Sequence, residues 1–226
     1  MPEEARYWNA DDLSRDKMPH NPLAFLPDGA ARQCVIYWPA DALEDTMTRY
    51  SLNRRLVHWA IAACVLTLVP VGLWMVARGE ANLWDTLTNT LYGIHKATGF
   101  TVLLLMALRI AFKLRSADPA YPADFPKAQR IAAKSLHHLF YLLLVAVPLL
   151  GWAGVTAFPA LIVFPGLDLP PMPFVPVDED LALRLFQIHG VLAITLALLV
   201  LGHIGAALWH LVMKKDGMFQ RMWFGG

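Results

Sequence analysis

Four stretches of this 226-residue chain, approximately 56–77, 91–114, 136–158 and 183–212, are each long and apolar enough to cross a lipid bilayer. A hydrocarbon core of about 30 Å needs roughly 20 apolar residues at 1.5 Å of rise each. Inside lipid no backbone N–H or C=O can turn to water, so each stretch must pair its own backbone as a helix. The expected fold class is therefore an all-α membrane protein, a bundle of four transmembrane helices. Composition agrees, with 57% hydrophobic and only 16% charged residues, against roughly a half and a quarter in soluble domains. A formal net charge of +1 offers no basis for binding nucleic acid.

Lys and Arg flanking the apolar runs set the orientation. One side carries Arg49, Arg54, Arg55, Lys113, Arg115, Lys127, Arg130, Lys134, Lys214, Lys215 and Arg221, and the other only Arg78, Lys96 and Arg184. This bias of 11 to 3 places both termini of a multi-pass membrane protein in the cytoplasm. The opposite loops carry Glu80, Asp85, Asp168, Asp178, Glu179 and Asp180, and the second of them is proline-rich over 159–176, which suits a cap on the outer face. Residues 1–46 form a polar N-terminal extension, distinct from the membrane domain at 47–226 and lacking the apolar core of a secretion signal. Met47 stands just before the basic flank of the first helix, so the extension is either a mis-assigned start or a short cytoplasmic segment. Cys34 in that extension and Cys64 in an apolar run are poorly placed to form a disulfide.

Seven of the eight histidines lie in or at the ends of the apolar runs, where ionisable residues are costly and mark functional sites. His58 sits near the cytoplasmic end of the first helix and His95 near the outer end of the second. On the fourth helix His189 lies near the outer end and His203 follows 14 residues later. Fourteen residues give about 21 Å of rise and a net turn of about −40°, so both imidazoles share one face at two depths. Depth then pairs His95 with His189 and His58 with His203, which suits two b-type haems stacked across the membrane, each iron held by two axial imidazoles. Two trans imidazoles fill the coordination sphere and leave outer-sphere electron transfer as the chemistry.

His210, seven residues beyond His203, shares its face and is the rival ligand on the cytoplasmic side. Its rise of about 31 Å from His189 would push one haem into the interface, so His203 is favoured. His137 and His138 open the third helix, where a quinone pocket, a proton relay or simple solvation of the helix end are all open readings. Gly99, Gly190, Gly202 and Gly205 suit either a flat macrocycle against backbone or ordinary close helix contact. Lys96 on the outer side and Arg54 or Arg55 on the inner side are candidates for the haem propionates, whereas Arg109 and Lys113 are read as snorkelling from the second helix.

These residues resemble the bacterial cytochrome b561 family of four-helix di-haem cytochromes. The matching features are Arg55-Leu56-Val57-His58-Trp59, Ile94-His95-Lys96 with Gly99, and Leu108-Arg109. They continue with His137 and Tyr141 before Pro148 and Gly151, then His189 and His203, and the tail Lys215-Asp216-Gly217 with Arg221-Met222. The similarity spans about Met47 to Met222. It implies an inner-membrane electron carrier with haems held by the first and fourth and by the second and fourth helices. It also implies ubiquinone as acceptor and, as in one branch of the family, superoxide as a periplasmic donor, making the chain a superoxide:ubiquinone oxidoreductase. The acidic outer loops would repel an anion rather than steer it.

Two other readings remain at this stage. The chain would also suit a cytochrome b anchor subunit of a larger dehydrogenase or hydrogenase, which should then co-purify with a soluble catalytic subunit. A haem-free, histidine-rich metal transporter is the reading from a different class. It fits worse, because zinc or copper ligands converge at one depth, often with Cys or carboxylates, and these histidines form two layers.

Overall fold

A computed structural model describes residues 49–121 and 125–224; the N-terminal extension, with Cys34, His20 and Met47, lies outside them. Four long helices follow in order: α1 (Leu52–Glu80), α2 (Thr86–Arg115), α3 (Lys127–Ala157) and α4 (Glu179–Trp209). All four are long and apolar enough to cross a membrane. They overrun the apolar stretches, α3 beginning nine residues before 136, because helical pairing continues into the polar flanks where hydrophobicity fades. The fourth helix differs in form. It ends at Trp209 and passes into a π-helical turn, His210–Lys214, closed by Lys215 in the left-handed region at φ 52°.

Capping fixes where α2 and α4 begin. The Asp85 carboxylate accepts the Thr88 N–H (2.9 Å) and Asp178 accepts that of Leu181 (2.8 Å), each satisfying a donor with no partner inside its helix. Arg78 at the end of α1 reaches Thr88 Oγ1 (2.8 Å) and Asp85 (2.5 Å), and so closes the short connection between α1 and α2.

The apolar interior is divided. Val57, Ile61 and Val65 of α1 pack with Val102 and Met106 of α2, while Phe140 and Leu143 of α3 pack with Leu196 of α4. Helix α1 lies closely along α2, α2 along α3, and α3 along α4, whereas α4 has no comparable close run against α1 or α2 among the described residues. Helix α4 thus stands off from α1 and α2, while α3 is close to both α2 and α4.

The connection from α3 to α4 forms a small antiparallel hairpin, β1 (Ile162–Phe164) and β2 (Leu167–Asp168). Pro165 and Gly166 turn it, with Gly166 at φ +81°, the value the third position of a type II turn demands. The hairpin packs on α2 at Gly93, where an added methyl would lie 2.3 Å from the Val163 carbonyl. The Lys96 ammonium donates to the carbonyls of Ala160 (3.0 Å) and Ile162, Trp152 Nε1 donates to Pro170 (2.8 Å), and the Met172 N–H donates to Thr156 Oγ1 (3.0 Å). The proline-rich loop is thus tied to α2 and α3.

At the opposite, basic end, the C-terminal tail lies across the start of α1. Tyr50 N–H donates to the Arg221 carbonyl (3.1 Å), Trp59 Nε1 to Met222 (2.8 Å) and Arg55 to Trp223 (2.7 Å). The buried Arg54 donates to the Ala117 carbonyl (3.2 Å) and pairs with Asp118, which also takes Lys113 at 2.9 Å. Burial by itself raises the Asp118 carboxyl, but the hydrogen bonds from Arg54 and Lys113 outweigh it and hold it below the ordinary carboxylate range. A carboxyl depressed on folding contributes stability above its ordinary pKa and loses it as pH falls through the folded value. Backbone amides at the start of α1, around Arg54, should therefore lose hydrogen-exchange protection as pH falls below about 4, and D118N should show that reduced protection at every pH. Protection independent of both pH and the substitution would refute this role for the Asp118 clamp.

Candidate functional site

The four histidines singled out by depth are half-buried, His58 on α1, His95 on α2, and His189 and His203 on α4. At the basic end the rings of His58 and His203 face each other, with centroids 6.4 Å apart and planes at 79°. At the hairpin end those of His95 and His189 lie 6.0 Å apart at 73°. A metal–imidazole bond of about 2 Å plus about 1.2 Å from the bonding nitrogen to the ring centre sets two trans imidazoles about 6.4 Å apart. Both pairs stand at that separation, and both span helix pairs that do not pack closely. The residues present therefore fit a bis-imidazole haem at each end.

The surroundings of the hairpin-end pair repeat one motif. A methyl on Gly72 of α1 would lie 3.1 Å from His95 Cε1, and a methyl on Gly151 of α3 would lie 3.1 Å from His189 Cε1. Each imidazole thus rests in a notch that a missing side chain leaves in the neighbouring helix. His189 Nδ1 lies 2.9 Å from the Val147 carbonyl, four residues before Gly151. With Nδ1–H donating there, Nε2 is the nitrogen left for a metal, the second-shell arrangement that orients ligand histidines. His95 lies near the Leu68 backbone, four residues before Gly72, but its buried Nδ1 has no hydrogen-bond partner.

Gly99, Gly190, Gly202 and Gly205 have no neighbour within 4 Å of an added methyl. They are not points of close helix contact, which removes one of the two readings the sequence left for them.

The other histidines separate clearly. His137 lies 6.0 Å from His203 at 76°, but on α3, which packs closely along α4 and leaves no slot for a macrocycle between the two. His138 is exposed on the same turn. His210 faces no second imidazole among the described residues; its Nδ1 meets Asp216 at 2.6 Å and its ring stacks on Phe125. Burial raises the Asp216 carboxyl, but the bond to His210 overcomes it and holds Asp216 below its usual range. Phe140 packs edge-on against His203 at 5.4 Å.

The cations expected to meet propionates already have protein partners. Lys96 is held by the Ala160 and Ile162 carbonyls, Arg54 by Ala117 and Asp118, and Arg55 by Trp223 through Nη1, its Nε staying buried without a partner. A haem carboxylate would have to displace those contacts. Arg109, read from sequence as a snorkelling residue, instead has Nη1 buried without a hydrogen-bond partner. Its charge acts on His58, His137 and His203, and its guanidinium lies 5.6 Å from the centre of the Tyr141 ring. The sequence did hold a signal for it, since Arg109 follows His95 by the same 14 residues that separate His189 from His203.

The chain is similar to known proteins of one family. A family model described as "Prokaryotic cytochrome b561" matches residues 49–225. Two Escherichia coli K12 proteins, "Cytochrome b561 homolog 1" and "Cytochrome b561 homolog 2", are each 29% identical over 180 residues; these cover 78% and 79% of this chain and 97% and 93% of the relatives. With four membrane-spanning helices and a family match that takes in the whole of them, the chain belongs to the prokaryotic cytochrome b561 family, and is a transmembrane electron-transfer protein that binds b-type haem.

Proposed function

We propose that the protein holds two haems, one between His58 and His203 and one between His95 and His189, and carries electrons from a periplasmic donor to ubiquinone. The observation that carries this reading is the pair of facing imidazoles at trans-ligand separation at each end of the bundle. When bound, the haems would be held by these four imidazoles and would supply one-electron oxidation and reduction. The chain's own residues do the rest. Helix α4 contributes one ligand to each site, its 14-residue interval setting a vertical gap of about 21 Å. The excess of Lys and Arg at the basic end supports a cytoplasmic side for it and for both termini, with the hairpin facing the periplasm.

Superoxide is the donor that the family resemblance suggests. Two superoxide anions would give two molecules of oxygen and two electrons, which with two protons reduce ubiquinone to ubiquinol. The hairpin end sets six carboxylates against Arg78, Lys96 and Arg184, and Arg78 is itself paired with Asp85, so the net field there does not steer an anion. A neutral or cationic periplasmic reductant is the donor this surface suits better.

Protein reconstituted in lipid vesicles with the hairpin outward tests the reading. We expect about two low-spin b haems per chain, reducible by an impermeant reductant from outside and reoxidised by a ubiquinone analogue. Protein that stays haem-free, or binds a single haem, when haem is in good supply would overturn it. Ubiquinol formation from enzymically generated superoxide, abolished by superoxide dismutase, would identify that donor. Its absence would leave two-haem electron transfer standing with another donor.

A further inference from the structure

Helices α2 and α4 are built on the same interval. In α4, His189 and His203 are 14 residues apart; in α2, His95 and Arg109 are 14 residues apart. In both, that interval is about 21 Å of rise with a net turn of about −40°, so Arg109 stands at the depth of the basic-end pair, on the face that carries His95 at the other end. At that depth α2 offers a guanidinium where α4 offers an imidazole, and His58 of α1 supplies the second ring.

A guanidinium within a membrane span is costly unless it meets an anion or water. Arg109 Nη1 is shielded from solvent and has no hydrogen-bond partner, which argues against a side chain that snorkels to the interface. Among the described residues no carboxylate pairs with it, because the nearest acidic side chain on this end, Asp118, is taken by Arg54 and Lys113. Tyr141 holds the guanidinium by its ring face at 5.6 Å and also lies under Lys113 at 5.9 Å. The side chain is thus pre-positioned, charged and short of an anion, within electrostatic reach of three histidines at the basic end.

We infer that Arg109 is a positioning residue for the inner haem, holding one of its propionate carboxylates and favouring its reduced state. The inference rests on the two-haem reading above. A fixed positive charge beside the inner site makes an added electron more stable there. Arg109 thereby biases electron flow toward the cytoplasmic end. The charge alone would do part of this; the unpartnered Nη1 supplies the hydrogen bond that fixes the carboxylate.

The test uses quinone-free holoprotein, unmodified and as R109Q and R109K, with haem count, redox titration and the resonance-Raman bending band of the haem propionates as readouts. Failure of the two-haem reading shows in the unmodified protein, before any variant is compared. In R109Q the inner component should lose about tenfold in its reduction equilibrium, a fall of about 59 mV for one electron, with the propionate band shifted and the outer component unmoved. R109K should recover at least half of that shift. Loss of the inner haem from R109Q but not from R109K would support the same role. Retention of both haems with unchanged potentials and an unchanged propionate band in R109Q would overturn it, as would equal haem loss in both variants or equal shifts of both components. A higher KM for ubiquinone without any shift in the quinone-free protein would also overturn it, assigning Arg109 to the quinone instead.

Discussion

Replacing His203 by Ala is expected to lower haem from about two to about one per chain and to reduce the redox titration to a single component. His203 faces His58 across helices that do not pack closely, so no other imidazole stands where the lost ligand was. His137, 6.0 Å away, sits on α3, which packs closely along α4, so a macrocycle between those two rings would have to separate the helices. His210→Ala should by contrast keep both haems, because that ring is engaged by Asp216 and Phe125. Pyridine haemochrome assay of both variants decides the matter: haem lost at His210 and kept at His203 would reverse the assignment. The near-perpendicular rings of each pair, 79° and 73°, also predict a strongly anisotropic low-spin EPR signal from both haems in the unmodified protein.

The second large effect is expected at a residue that touches no cofactor. Gly151→Val puts branched methyls where the first carbon alone would already lie 3.1 Å from His189 Cε1 and 3.2 Å from Nδ1. The ring must rotate away, breaking its 2.9 Å contact with the Val147 carbonyl. Loss of such a second-shell partner typically costs about 10- to 100-fold in metal affinity, and overpacking adds about 1–3 kcal/mol of strain. G151V should therefore lose most of its outer haem while the inner one stays. G151A needs a displacement of only a few tenths of an ångström and should keep the haem with an altered EPR signal. Gly72→Val presses on His95 from the opposite side and should give the same phenotype. The double variant should be no worse than either, since both act on one haem. Full outer-haem content in G151V, measured by haem assay and redox titration, would show that the notch is incidental.

Much of the candidate site was legible because its logic is local to a helix. The depth of His58, His95, His189 and His203 follows from their place in apolar runs, and the shared face of His189 and His203 follows from 3.6 residues per turn. The same arithmetic applied to His95 would have singled out Arg109. Reading it as a snorkelling residue passed over a spacing plainly present in α2. Other features had no such signal. That Arg54 is engaged by Asp118 and Lys96 by the hairpin depends on partners 64 residues away along the chain in each case, and no periodicity within one helix reports which loop returns to it.

The sequence by itself determined four spanning helices, their orientation expectation and two layers of histidine, because lipid forces every backbone group into helical pairing and the helix repeat then fixes depth and face. Only the tertiary structure decided which rings meet, which cations are already held, and that Gly72 and Gly151 form the notches behind His95 and His189. Those are contacts between separate helices, and their distances are set by how whole helix faces pack against one another rather than by any residue's neighbours along the chain.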